Sequence, residues 1–272
     1  MRLLIFGLGY TASQIADAVR ARGWTVDATG SAGNVDFNDA ASVRLIAAQA
    51  THILSSVPPV VDGDPVLAAY GDVLTAKWLG YLSSTGVYGD AGGAWVDESA
   101  PIRGRRDSRN GADQDWLALG AHVFRLPGIY GPGRSALDRV ASGQGHRVDL
   151  PEQVFSRVHV DDIVSGVIAG FDAPPGAYNL ADDLPCDQNA VIEMAATLMD
   201  LPAPLFVVLE TLSPMARSFY AENRRVANGK AKRVLGWNPV YPNYAVGLRA
   251  LRAMTNPTSA ITQPAAASSD QR

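Results

Sequence analysis

The sequence predicts an α/β fold of the Rossmann type: a doubly wound parallel sheet with helices on both faces, and a small C-terminal substrate lobe. Three observations predict it. Short apolar runs alternate with helix-period segments through the first half of the chain. A glycine loop, Gly7-Leu8-Gly9-Tyr10-Thr11-Ala12, separates the first apolar run from the first helical pattern. After Gly131 the rhythm changes to Gly- and Pro-rich loops between short helices.

The elements follow in order. Residues 3–6 read as a buried strand. Residues 12–22 read as a helix, with Ile15, Ala16 and Val19 on one face and Gly23 as its stop. Strands are expected at 24–29, 34–37 and 51–56, the last halted by Pro58-Pro59. Helices near 39–50 and 65–76 lead to a strand at 78–83, and a helix at 112–120 leads to a strand at 122–126. Residues 158–171 read as a strand end and a helix returning to the core, with further helices near 135–142 and 187–200. The expected division is a dinucleotide-binding core at 1–130 joined by 155–172, a lobe at 131–154 and 173–254, and a disordered tail at 255–272.

Composition narrows the function. The chain has 272 residues, 47% hydrophobic, with a net charge of −4. Its basic stretches, 103–109 and 224–233, are interrupted, so a nucleic-acid partner is not expected. No apolar stretch is long enough to span a bilayer, so no membrane association is expected. The single cysteine, Cys186, excludes an intramolecular disulfide and fits a reducing compartment, and a cytoplasmic protein is expected. Four scattered histidines do not form a metal-ligand set. The oligomeric state is not written in the sequence.

The glycine loop carries the clearest chemistry. Gly7 permits a tight turn, Gly9 lets the backbone approach a pyrophosphate, and Ala12 is small enough for helix–strand packing. The helix start at Tyr10 and Thr11 would then offer amide donors to phosphate. An acid ending the second strand would select NAD, but Thr29-Gly30-Ser31 stands there, and Asp27 lies inside the strand. The reading is NAD(P) with a lean to NADP. Ser31 falls on the ribose side. Asp36 is a candidate for the adenine amine, with turn capping as its other role.

Several further motifs agree with one another. SSTGVYGD at 83–90, VDESAP at 96–101, RLPGIYGP at 125–132, VHVDDI at 158–163, YNLADD at 178–183 and KAKRVLGWNPVY at 230–241 follow the glycine loop in order. The chain resembles the NAD-dependent epimerase/dehydratase family, the extended short-chain dehydrogenases, over residues 1–254. The resemblance implies an NAD(P)-binding oxidoreductase or epimerase acting by hydride transfer, with Ser84, four residues before Tyr88, holding the reacting oxygen.

The active-site pair of that family, Tyr-x-x-x-Lys, is missing. No Tyr occurs between Tyr88 and Tyr130, and Arg105 and Arg109 stand where the Tyr and Lys would be. Arginine keeps its proton at neutral pH, so Arg105 is a candidate for binding an anionic small-molecule substrate. Tyr88 is a candidate stand-in proton donor, against its reading as a packed aromatic wall. Thr85 and Gly86 replace the dehydratase Asp–Glu pair. Gly128 replaces the Asn that contacts a nucleotide sugar, and Phe155-Ser156 replaces an Arg–Asp. The resemblance therefore implies an atypical member whose substrate is not a nucleotide sugar. The alternative is a dinucleotide-binding sensor without turnover. His159, with Asp161 and Asp162, reads as a helix cap, and Trp237 as a core anchor.

Overall fold

The computed structural model describes residues 1–255; the expected tail lies outside them from residue 256 onward. Six parallel strands form the central sheet, in the order Gly176–Asn179, His122–Leu126, Trp78–Ser84, His52–Ser55, Arg2–Phe6, Thr25–Ala28. Alternation along the first strand sends its side chains to two different cores. Leu3 and Ile5 pack with Ile15, Ala16 and Val19 of the helix Tyr10–Arg20 and with Ile163 and Val167 of the helix Val160–Ala169. Leu4 and Phe6 pack on the opposite face with Val43, Val66, Tyr70, Ala112 and Trp116, from the helices Ala40–Gln49, Pro65–Tyr70 and Asp107–Ala118. This is the doubly wound α/β architecture the sequence predicts.

A third core forms among helices later in the chain. Leu137 and Val140 of the helix Ala136–Ala141 pack against Val191, Ile192 and Ala195 of Gln188–Leu198 and against Leu248 and Leu251 of Tyr244–Thr255. Among the described residues no helix is long and apolar enough to cross a membrane.

Two expectations are corrected. The strand expected at 34–37 does not form, and only an isolated bridge joins Thr29 to Val35. Asn34 explains why. Its side-chain oxygen accepts from the Ala28 amide at 2.9 Å and its amide donates to Asp27 at 3.1 Å, so a side chain takes the place a neighbouring backbone would fill. The turn before it is tight: a Cβ on Gly33 would stand 2.2 Å from the Ala28 carbonyl oxygen. The second correction moves a boundary. Gly176–Asn179, expected in the lobe, is the outer strand of the central sheet and pairs with His122–Leu126. Ala231 and Trp237 also pack in the first core, and Trp237 donates its indole N–H to the Asp162 carbonyl at 3.0 Å.

Arg2–Phe6 has Thr25–Ala28 on one side and His52–Ser55 on the other. The winding reverses at this strand, and crevices outside such reversals are where open α/β sheets bind ligands.

Candidate functional site

The glycine loop leaves the first strand at this reversal. Gly7 takes φ +84°, a conformation glycine alone adopts freely, and a Cβ there would press within 3.0 Å of Val57. The loop is pinned to the second strand, where the Gly7 amide donates to Thr29 Oγ1 at 3.1 Å and the Leu8 amide donates to the Thr29 carbonyl at 2.8 Å. Gly9 then begins the helix Tyr10–Arg20 without a side-chain cap, and a Cβ on it would meet nothing within 4 Å. A helix start left uncapped beside open space presents amide donors and the positive end of the helix dipole. Thr11 and Ala12 are buried behind it. Tyr10 is turned toward the 131–134 turn: its hydroxyl donates to the Pro132 carbonyl at 3.1 Å and the Arg134 guanidinium lies 5.5 Å from its ring centroid.

Beside the loop runs a groove lined by Gly30, Ser31, Gly33, Asn34, Val35 and Asp36. Ser31 is exposed there. Asp36 closes a turn by accepting from the Asn38 amide at 2.9 Å. Asp27 is paired with Arg2 at 2.8 Å and with Asn34, and lies inside the strand as its sequence position indicates.

Ser84 is the last residue of Trp78–Ser84, opposite Leu126, at the C-terminal edge of the sheet. It is half-buried, and its Oγ accepts from the Gly86 amide at 3.1 Å, which starts a short 3-10 helix, Thr85–Tyr88. That bond uses an acceptor lone pair and leaves the hydroxyl proton available to a ligand. Tyr88 lies deeper. Its hydroxyl donates to Asn179 Oδ1 at 2.7 Å and accepts from Arg125 Nη1 at 3.0 Å. Burial pushes the phenol up to about 12, against the opposing pull of Arg125 and Asn179.

Behind Tyr88 runs a polar chain that the sequence reading missed. Arg125 grips Asp113 through two bonds, Nε to Oδ2 at 3.1 Å and Nη2 to Oδ1 at 2.7 Å. Ser83 donates to the same carboxylate at 2.6 Å. Arg125 is 2% exposed and Asp113 0%. At the far end, the Asn179 amide N–H donates to Glu98 at 2.7 Å, and burial raises the Glu98 carboxyl above its ordinary range. One signal was available in the sequence: an arginine inside the apolar run HVFRL needs a buried counter-charge.

Arg105 sits on the loop before Asp107–Ala118 and reaches the 218–222 segment. Its Nε donates to Glu222 at 2.6 Å and its Nη2 to the Ser218 carbonyl at 2.8 Å. Arg224 donates to the other Glu222 oxygen at 2.6 Å. Burial works against the Glu222 charge, but the two guanidinium groups outweigh it and hold the carboxyl below its ordinary value. Two of the Arg105 donor positions are therefore committed within the protein, and Ser84, Tyr88 and Arg105 do not form one hydrogen-bonded constellation among the described contacts.

A second buried polar group lies where the core meets the C-terminal segment. His159 caps the helix Val160–Ala169, its Nδ1 accepting from the Asp161 amide at 3.2 Å, and burial lowers its pKa. Its Nε2, the Tyr130 hydroxyl and Asp182 Oδ2 are buried without a hydrogen-bond partner. Burial pushes the Asp182 carboxyl up to about 7, opposed by Arg157.

No family model matches the sequence. Among solved structures, the chain is similar to a functionally unknown conserved protein from Silicibacter pomeroyi DSS. The two are 42% identical, with a TM-score of 0.84 over 93% of this chain and 98% of that one. Protein YeeZ of Escherichia coli strain K12 is 27% identical over 249 residues, covering 75% of this chain and 86% of that protein. The 3-diazoavenalumate denitrifying reductase of a Streptomyces species is 28% identical over 236 residues, covering 80% of this chain and 68% of that protein. More distant structures share the fold. The Thermotoga maritima UDP-glucose 4-epimerase, solved with UDP-glucose, is 16% identical at a TM-score of 0.73, over 94% of this chain and all of that one (100%). Human epimerase family protein SDR39U1, solved with NADPH, is 15% identical at a TM-score of 0.73, over 93% of this chain and 99% of that one.

Proposed function

We propose that this chain, which belongs to one family with the Silicibacter pomeroyi protein and has the fold of the NAD-dependent epimerases and dehydratases, is an NAD(P)-dependent oxidoreductase or epimerase-like enzyme acting on a small substrate. The observation that carries the reading is the uncapped helix start at Gly9, set beside open space at the reversal of the sheet. That feature suits a pyrophosphate. Gly7, Gly9, Tyr10, Thr11 and Ala12 would hold it through backbone amides, with Ser31 and Asp36 lining the ribose and adenine side. The second strand ends in Thr29-Gly30-Ser31 and places no acid against a 2′-phosphate, which supports NADP over NAD.

The nicotinamide, when bound, supplies hydride acceptance or donation. The chain's own part is orientation. Ser84, at the strand edge, donates its hydroxyl proton in a hydrogen bond to the substrate oxygen. Tyr88 positions the Ser84 turn from behind: its hydroxyl is occupied by Arg125 and Asn179, and its raised pKa keeps its proton bound at neutral pH. Arg105 and Glu222 tie the loop before Asp107–Ala118 to the 218–222 segment. Thr85, Gly86, Gly128 and Phe155 at the family's substrate positions argue against a nucleotide sugar, so the substrate is smaller.

Calorimetry with NADPH, NADP, NADH and NAD tests the reading. NADPH is expected to bind wild type most tightly. Gly9→Asp, which adds a carboxylate where the phosphates would lie, is expected to abolish binding while the melting temperature holds. Wild type that is folded yet binds none of the four would remove the proposal.

A further inference from the structure

The turn after the short strand Gly128–Tyr130 is built against the glycine loop. Gly131 and Arg134 close it with two backbone bonds. The Arg134 amide donates to the Gly131 carbonyl at 3.0 Å, and the Gly131 amide donates to the Arg134 carbonyl at 3.3 Å. Gly133 takes φ +69° inside the turn, a conformation that glycine adopts freely. Gly131 leaves no room for a side chain: a Cβ there would stand 2.6 Å from the Tyr10 hydroxyl oxygen and 2.6 Å from Val160 Cγ1. On the far side, Ser135 caps the helix Ala136–Ala141 in a reciprocal box with Asp138. The backbone that carries Arg134 is therefore fixed at both ends, by Tyr10 and by a capped helix.

Arg134 is exposed, and its guanidinium lies 5.5 Å from the Tyr10 ring centroid. Tyr10 is the first residue of the helix Tyr10–Arg20, so its own amide is among the donors that no side chain caps. The ring contact thus stations a whole positive charge beside the residue that opens the helix. Two carboxylates act electrostatically on the same tyrosine, Asp138 and Asp161. Asp138 is engaged by the Ser135 amide at 2.7 Å and the Ser135 hydroxyl at 2.6 Å, and Asp161 lies 3.6 Å from His159 Nδ1. Among the described residues, the Arg134 guanidinium makes no ion pair and no hydrogen bond with either.

We propose that Arg134 is a phosphate-binding residue of the dinucleotide site, gripping the cofactor pyrophosphate together with the amides at the Gly9 helix start, with Tyr10 as the platform for its guanidinium. The assignment rests on the reading of the glycine loop as a pyrophosphate site. A helix start supplies roughly half an elementary charge, less than a pyrophosphate carries. A guanidinium supplies a whole charge and a planar fork that matches two phosphate oxygens. The Tyr10 ring holds that fork by its π-face without using any of its N–H donors. The Tyr10 hydroxyl, which donates to the Pro132 carbonyl at 3.1 Å, keeps ring and turn in contact.

Titration calorimetry on the full-length protein, with NADPH, NADH and ADP-ribose as ligands, tests the assignment. All three carry the pyrophosphate; only NADPH carries the 2′-phosphate, and ADP-ribose lacks the nicotinamide. Arg134→Gln is expected to bind each of them at least about tenfold more weakly than wild type, by a similar factor for each. Arg134→Lys, which keeps the charge without the fork, is expected between the two. The melting temperature without ligand is expected to hold in both variants, because the side chain is exposed. Equal affinities in wild type and Arg134→Gln would overturn the assignment. A loss confined to NADPH would place Arg134 on the 2′-phosphate, and a loss that spares ADP-ribose would place it on the nicotinamide half; either would overturn it too. The two claims fail separately. Wild type that binds all three ligands with no effect of Arg134→Gln refutes the role of Arg134 alone. Wild type that binds none of them refutes the pyrophosphate reading of the glycine loop, and Arg134 with it.

Discussion

Replacing Asp182 with asparagine should make the protein's stability less sensitive to pH, and the size of the change follows from where the carboxyl lies. Asp182 is 2% exposed. Its Oδ1 accepts weakly from the Leu184 amide at 3.3 Å, its Oδ2 has no partner, and Asp162 and Asp183 add like charge. Arg157 opposes these effects without overcoming them, and the carboxyl is pushed up to about 7. An unfolded aspartate titrates near ~3.9. A carboxyl raised in the folded state favours folding in its protonated form, so its contribution is fully present below about pH 4 and is lost as pH rises toward 7. At ~1.4 kcal/mol per pH unit, the loss across that window is on the order of 4 kcal/mol. Asparagine is neutral throughout, keeps an oxygen for Leu184, and leaves an unpartnered amide worth about 1 kcal/mol of penalty at every pH. Near pH 4.5 the two proteins should therefore melt within a few degrees of each other. At pH 8 Asp182→Asn should melt higher, by roughly 10 °C for a chain of this size. Differential scanning calorimetry at the two pH values reads this directly. A difference in melting temperature between wild type and variant that is the same at pH 4.5 and pH 8 would refute the reasoning, because a packing effect does not titrate.

The buried Asp113–Arg125 pair makes a different prediction. Asp113→Ala should cost about 3–5 kcal/mol in urea unfolding by leaving Arg125 charged and unpaired, and adding Arg125→Met to it should restore part of the loss. A double variant as unstable as the sum of the singles would contradict the coupling. Ser84→Ala should leave the melting temperature within about 2 °C, since it removes one exposed-edge cap. Once a turnover assay is in hand, the same change should lower kcat with KM held, and unchanged kcat would remove Ser84 from the chemistry.

Much of the fold was legible because the signals were local. Apolar runs at Leu3 to Phe6 and at Trp78 to Ser83 can only be satisfied by burial, and the Gly7–Gly9 turn announces the strand-to-helix passage by itself. The failures came from side chains acting as backbone. The 34–37 segment has strand-forming residues, but Asn34 intercepts the Ala28 amide, and propensity does not reveal which group a strand edge will pair with. The site was less legible for a related reason. Arg105 was chosen by its place in a motif, yet its partner Glu222 lies 117 residues away in the chain. Which charges pair is a property of three-dimensional surroundings, and a sequence records only the charges.

The Asn34 turn has a consequence for the molecule's life among copies of itself. Thr25–Ala28 ends the central sheet, and the last strand of any parallel sheet offers unpaired amides and carbonyls to whatever extended chain drifts past. Here Ala28, the residue at its C-terminal end, has its N–H taken by the Asn34 side chain and its C=O by the Val35 amide at 3.1 Å, while Arg2 holds the Asp27 carboxylate beside them. A stranger's strand arriving at this margin finds the end of the template already written over by a loop a few residues downstream, with charged groups alongside. The turn that denies the protein a seventh strand of its own also withholds that position from anyone else's.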